Sequence, residues 1–175
     1  ALLRGLDLQL QSLPGGGQQV MVNGEDVSQA IRSPDVTGSV SVVAAHRCVR
    51  QALTAQQKAM GAKGGLVAEG RDIGSAVFPD ADLKVFLTAT VAERARRRAL
   101  DLEQRGFPVP ERSELEAQIA ERDHLDSTRK EAPLVQAIDA VELVTDGMSI
   151  DAVIDALVEQ FRARVPEEAW PTPAG

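Results

Sequence analysis

The chain has 175 residues, enough for one domain with a small insert and a substantial core. It is 43% hydrophobic and 26% charged, as in ordinary globular proteins, and its net charge of -7 argues against broad nucleic-acid binding, which relies on a basic face to displace counterions. No apolar run approaches the ~18–20 residues that span a bilayer, no signal peptide is visible, and the single cysteine, Cys48, rules out an internal disulfide and points to a reducing, cytoplasmic setting.

Residues 6–13 alternate apolar with polar side chains (Leu6, Leu8 and Leu10 against Asp7, Gln9 and Gln11), the period of a half-buried strand. Pro14-Gly15-Gly16-Gly17 reads as a turn and residues 19–22 as the returning strand of an antiparallel hairpin. Asn23-Gly24 offers another turn before a short helix near 27–32. Ser33-Pro34 then starts a helix, with serine as cap and proline in the first turn. A further helix over 47–60 stops at Gly61. Beyond Gly65 the pattern becomes strand then helix. It runs through a strand at 66–68, a glycine-flanked turn at 70–74, a strand at 83–87 and a helix at 91–105 halted by Gly106. A long polar helix at 111–128, a strand at 143–144 and a helix at 150–164 capped by Ser149 complete it. Continuous apolar strands alternating with helices predict an α/β protein whose parallel sheet is covered on both faces. The proline-rich tail, 166–175, reads as flexible, with Trp170 packing or exposed rather than binding. Cys48 reads as a small buried filler, and His46 and His124 lack metal-ligand spacing, so no metal site is expected.

Two stretches carry chemistry. In GLVAEGRDIG a short apolar run ends in Arg71 and Asp72, just past the carboxyl end of a parallel-type strand, where open α/β sheets bind ligands. In ERDHLDSTR the spacing of Arg122, Asp126 and Arg129 places all three on one face of a helix. Arginine forks onto phosphate, and a carboxylate accepts from an exocyclic amine. Together these clusters suit an anionic ligand with hydroxyls and a polar ring, such as a nucleoside monophosphate. Each also has a plainer explanation, a structural ion pair or a solvated helix face. The same holds for the helix carrying Arg94, Arg96, Arg97, Arg98 and Arg105 among Glu93, Asp101 and Glu103, most of which read as solvent-facing pairs.

The order GEDVS (24–28), Ile31-Arg32, SVVAA (41–45), Val49-Arg50, GRDIG through VFPDA (70–81), ERARRR (93–98), ERDHLDSTR (121–129) and APL (132–134) resembles bacterial cytidylate kinase from about residue 6 to 165. The resemblance implies a P-loop nucleoside monophosphate kinase-like fold that transfers the γ-phosphoryl of ATP to CMP or dCMP with Mg2+. It implies that Ser41, Arg50 and Asp72 contact cytosine, that Arg71 and Arg129 clamp the CMP phosphate, and that Arg122 and Asp126 lie near the sugar. Arg94, Arg97 and Arg129 would be the catalytic arginines, and the lid would span about 94–112. By the same resemblance, 1–45 belongs to an antiparallel monophosphate-binding insert and 46–165 to the kinase core. The complete protein would be a monomer without nucleic-acid or membrane partners.

The chain departs from that family in two respects: the phosphate-binding Gly-Lys loop is missing, and so is the following segment that in the family supplies an aspartate, a tyrosine and another monophosphate-binding arginine. The lysines are Lys58, Lys63, Lys84 and Lys130, and none follows a Gly-x4-Gly-Lys-Ser/Thr loop. The chain opens Ala1-Leu2-Leu3, so a processed, trimmed or fragmentary polypeptide is expected, beginning inside the insert and lacking the N-terminal central strand. The expectation is that these residues alone are poorly stable and do not turn over ATP. An inactive nucleotide-binding remnant and a UMP- or AMP-type kinase are the competing possibilities.

Overall fold

The computed structural model describes residues 5–14, 17–62 and 64–170, and the chain divides into two compact units, 1–56 and 57–175. In the first unit, β1 (Leu8–Ser12) and β2 (Gln18–Val22) pair antiparallel, with Leu8 opposite Val22 and Leu10 opposite Val20. Of the turn expected between them, Gly15 and Gly16 lie outside the described residues. Asn23 and Gly24 both take positive φ (51° and 83°), the type I′ geometry whose twist matches paired strands, and deliver β3 (Glu25–Asp26). Asp26 accepts hydrogen bonds from the Ser28 hydroxyl (2.6 Å), the Gln19 amide (2.8 Å) and the Ser28 N–H (2.9 Å), which hold its pKa at about 2. The helix expected at 27–32 reduces to one 3-10 turn, Ala30–Arg32. Helix α1 (Pro34–Ala44) starts where Ser33 and Pro34 placed it, the Ser33 hydroxyl accepting from Val36 N–H at 3.4 Å. Helix α2 (Arg47–Gly61) contains the boundary between the units. Cys48, expected to be buried, is exposed in the first turn of α2.

In the second unit the segment 66–68 forms no strand, contrary to its apolar sequence. A strand exists only through a ladder of backbone hydrogen bonds, and among the described residues β4 and β5 pair solely with each other. The segment is left in solvent, Val67 being 99% exposed. β4 (Val85–Thr88) and β5 (Val141–Val144) run parallel, Val85 beside Val141 and Thr88 beside Val144. The expected cover on both faces is incomplete: Leu87 on one face and Val144 on the other stand in solvent, as does the stripe Ile150, Ile154, Val158 on α5 (Ile150–Arg164).

Helix α3 (Val91–Gln104) follows β4 with Thr90 as its cap, the Thr90 hydroxyl accepting from Glu93 N–H at 3.2 Å while Thr90 N–H donates to Asp146 at 3.0 Å. It stops where Gly106 takes a φ of 73°. There Phe107 N–H donates to Leu102 C=O (2.9 Å) and Gly106 N–H to Glu103 C=O (3.0 Å), the paired bonds of a Schellman motif. The motif brings Phe107 onto Leu102, and with Ala95, Ala99, Leu115 and Ile119 they form the core that packs α3 against α4 (Arg112–Thr128). Burying each leucine there is worth about 1.5–3 kcal/mol. Helix α5 has the expected Ser149 cap, accepting from Ala152 N–H at 3.1 Å. After it, Glu167–Ala169 makes a 3-10 turn that sets the Trp170 indole N–H on Val165 C=O (2.8 Å), with Arg162 5.6 Å from its ring centre.

Candidate functional site

The bend at Arg71 and Asp72 opens into a single π-turn, Ile73–Val77, in which Ala76 and Val77 N–H both donate to Asp72 C=O (2.9 and 3.2 Å). This turn buries Asp72 to 5% exposure and leaves Arg71 about one-third exposed. Lys84, its ammonium paired with Asp139 at 2.6 Å and bonded to Pro79 C=O, lays its stem across Gly74, where an added Cβ would sit 3.3 Å from it.

Helix α4 supplies the facing groups. Asp126 is nearly fully buried and is the hub: its carboxylate lies 3.1 Å from Arg71 Nε, 3.3 Å from Arg129 Nη1 and 3.8 Å from Arg122 Nε. One turn earlier, Asp123 bridges Arg71 Nη1 (3.4 Å) and Arg94 Nη2 (2.6 Å), the latter from α3. Arg129 Nη2 lies 3.7 Å from Asp72, closing the set. Among these seven described residues four guanidiniums meet three carboxylates, one net positive charge for the set.

The helical spacing holds for Arg122 and Asp126 but not for Arg129. Helix α4 ends at Thr128, and Arg129 is extended (ψ 146°). Its side chain reaches the cluster by turning back, with Nε donating to Ala132 C=O at 2.8 Å. Ala132 takes a φ of 47°, rare for a residue with a Cβ, and Leu134 N–H then donates to Asp126 C=O at 2.8 Å. The turn at 129–134 is thus anchored to the hub of the cluster at both the side chain and the backbone.

Burial, followed by repulsion from Arg71, pushes the pKa of Arg122 below its ordinary value, and Asp126 and Asp123 offset this only in part. Burial also lowers that of Arg129, with Asp126 opposing and Arg71 adding to the fall. Arg94 Nε, Arg122 Nε and Arg129 Nη2 are shielded from the surface yet make no hydrogen bond within the protein. Asp123 Oδ1 is likewise shielded and without a hydrogen bond, and guanidinium nitrogens left unbonded in a half-buried cluster suit an oxyanion.

Arg97 is held differently. It donates to the Thr145 hydroxyl (3.0 Å), to Thr145 C=O (2.5 Å) and to Glu93 (2.8 Å), while Thr145 Oγ1 donates to Thr88 C=O (3.1 Å). It braces α3 against the carboxyl ends of both parallel strands. The other arginines of α3 form the expected surface pairs, Arg96 with Glu93 and Arg98 and Arg105 with Asp101.

A family model described as cytidylate kinase matches residues 1–163. The chain belongs to the cytidylate kinase family. It is 97% identical over its whole length to a bifunctional pantoate ligase/cytidylate kinase of Parasynechococcus marenigrum (strain WH8102), of which it covers 35%. Proteins of the same name from Synechococcus sp. (strain CC9605) and Prochlorococcus marinus (strain MIT 9303) are 90% and 68% identical, over 99% and 98% of the chain and 36% and 35% of their own lengths. The chain spans about a third of the length of the curated relatives it matches.

Within this cytidylate kinase chain, Arg71, Asp72, Arg94, Arg122, Asp126 and Arg129 meet in one cluster. Ser41, buried on α1, and Arg50, half-buried on α2, belong to the other unit. Sequence reasoning missed Asp123. The available signal was its place next to Arg122 and one turn before Asp126, but an acidic residue on a charge-rich helix carries no mark of two arginine partners.

Proposed function

We propose that this chain is the cytidylate kinase portion of a bifunctional polypeptide and takes part in transferring the γ-phosphoryl of ATP to CMP or dCMP. The observation that carries this is the cluster in which Arg71, Arg94, Arg122 and Arg129 are gathered by three aspartates, with Arg94 Nε, Arg122 Nε and Arg129 Nη2 making no hydrogen bond within the protein. On this reading Arg71 and Arg129 bind the CMP phosphate, and Arg122 and Asp126 lie beside the sugar. Asp72 faces cytosine: a carboxylate opposite the N4 amine favours cytosine over uracil, whose O4 would meet like polarity. Arg94 and Arg129 neutralise charge on the phosphoryl in transit, and Arg97 joins them if it releases Thr145 as a lid over 94–112 closes.

The acceptor is already a phosphate oxygen, so alignment and charge neutralisation suffice and no general base is needed. The site's aspartates face arginines, and on this reading Mg2+ enters with ATP as part of the substrate. The test is ADP formation by the full-length polypeptide with MgATP and, separately, CMP, dCMP, UMP and AMP. ADP formation that depends on CMP or dCMP and is at least tenfold slower with UMP or AMP is expected. A preference for UMP or AMP, or no acceptor-dependent ADP at all, overturns the proposal.

A further inference from the structure

Arg71 and Arg94 come from distant parts of the second unit, one from the bend before the π-turn and the other from α3. Asp123 is the carboxylate they share, Oδ1 3.4 Å from Arg71 and Oδ2 2.6 Å from Arg94. Two guanidiniums drawn this close repel one another, so their spacing depends on the anion between them. Asp123 differs from its neighbours in exposure. Asp72 and Asp126 are buried, whereas the side chains of Asp123, Arg71 and Arg94 are all about 30% exposed, at 28%, 32% and 31%. The shared carboxylate thus sits at the open side of the cluster, where a ligand arrives. Its Oδ1 is shielded and makes no aligned hydrogen bond, so its hold on Arg71 is chiefly charge.

From this we propose that Asp123 is a positioning residue: it sets the distance between Arg71, on the acceptor phosphate, and Arg94, on the transferring phosphoryl group, without touching either ligand. The inference rests on the kinase reading above. It has a signature that a purely structural carboxylate would lack. Asp123→Asn keeps size and shape but removes one negative charge, raising the cluster from one net positive charge to two. Affinity for a nucleotide anion should hold or rise while alignment of the two phosphates is lost.

The experiment is steady-state kinetics of the full-length polypeptide carrying Asp123→Asn, Arg94→Ala or both, with CMP and MgATP. The expected result is a kcat at least tenfold lower for Asp123→Asn with KM for CMP unchanged or reduced, and a double variant slower by less than the product of the single effects. A kcat within twofold of the parent, a KM that rises as kcat falls, or strictly multiplicative effects overturns the proposal. Should Asp123→Asn fail to fold, Asp123→Glu, which keeps the charge but displaces it by one methylene, is read by the same split between kcat and KM. A parent that forms no CMP-dependent ADP overturns the kinase reading itself, a result distinct from failure of the positioning role.

Discussion

Replacing Asp126 with alanine removes the one carboxylate that faces three guanidiniums, at 3.1, 3.3 and 3.8 Å. The side chains of Asp126 and Arg129 are only 3% and 5% exposed, so water cannot take the place of the lost partner at Arg129, whose remaining carboxylate is Asp72 at 3.7 Å. Breaking a buried pair from one side costs about 3–5 kcal/mol. Arg71 and Arg122 are roughly one-third exposed and partly rehydrate, which puts the loss near the lower end, about 3 kcal/mol. Hydrogen exchange read by mass spectrometry on peptides from α4 and 129–134 isolates this region within a longer polypeptide. A loss of that size should speed exchange there about 100-fold. Asp126→Asn, which keeps an acceptor oxygen, should give a smaller acceleration. Acceleration below about fivefold for Asp126→Ala would refute the argument and make the cluster a set of independent surface pairs.

Glu93 accepts from Arg96 and Arg97, and these bonds hold its pKa at about 2, below its ordinary 4.5. Its contribution is therefore complete above pH 4.5 and fades as the pH falls towards 2, so the melting-temperature gap between parent and Glu93→Gln should be constant at neutral pH and shrink through that window. A gap independent of pH would contradict this. At Ala132, where φ is 47°, stability should follow Gly equal to or above Ala, with Val lower by about 1–2 kcal/mol, in denaturant titrations. Gly61→Ala puts a Cβ 2.6 Å from the Phe78 ring, and overpacking of about 1–3 kcal/mol should outweigh a helix-propensity gain of up to about 1 kcal/mol. Gly38→Ala meets nothing within 4 Å and should stabilise α1, so the two substitutions are expected to move thermal stability in opposite directions.

What the sequence revealed of the fold was local. Ser33-Pro34, Thr90 with Glu93, Ser149 and Gly106 mark helix ends because each satisfies backbone groups within a few residues. The segment 66–68 shows the limit: its apolar side chains suit a strand, but strand formation depends on a partner that local sequence does not encode. At the site, Arg71, Asp72, Arg122 and Asp126 were legible as charged residues at telling spacings. Arg129 enters by a different route, because a chain that leaves the helix at Thr128 brings the side chain back through the turn at Ala132. Asp123 was illegible, since its two partners lie about fifty and thirty residues away.

On the proposed reading the arginine cluster is a seat for the phosphate of CMP. Calorimetric titration of the full-length polypeptide with CMP and with cytidine, for the parent and for Arg129→Ala, measures what that seat contributes. Hydrogen bonds to charged groups contribute about 1.5–3 kcal/mol each, so the parent should bind CMP at least about 100-fold more tightly than cytidine, and Arg129→Ala should remove at least tenfold of that preference. Equal binding of CMP and cytidine by the parent, or a preference that survives Arg129→Ala intact, would contradict the claim.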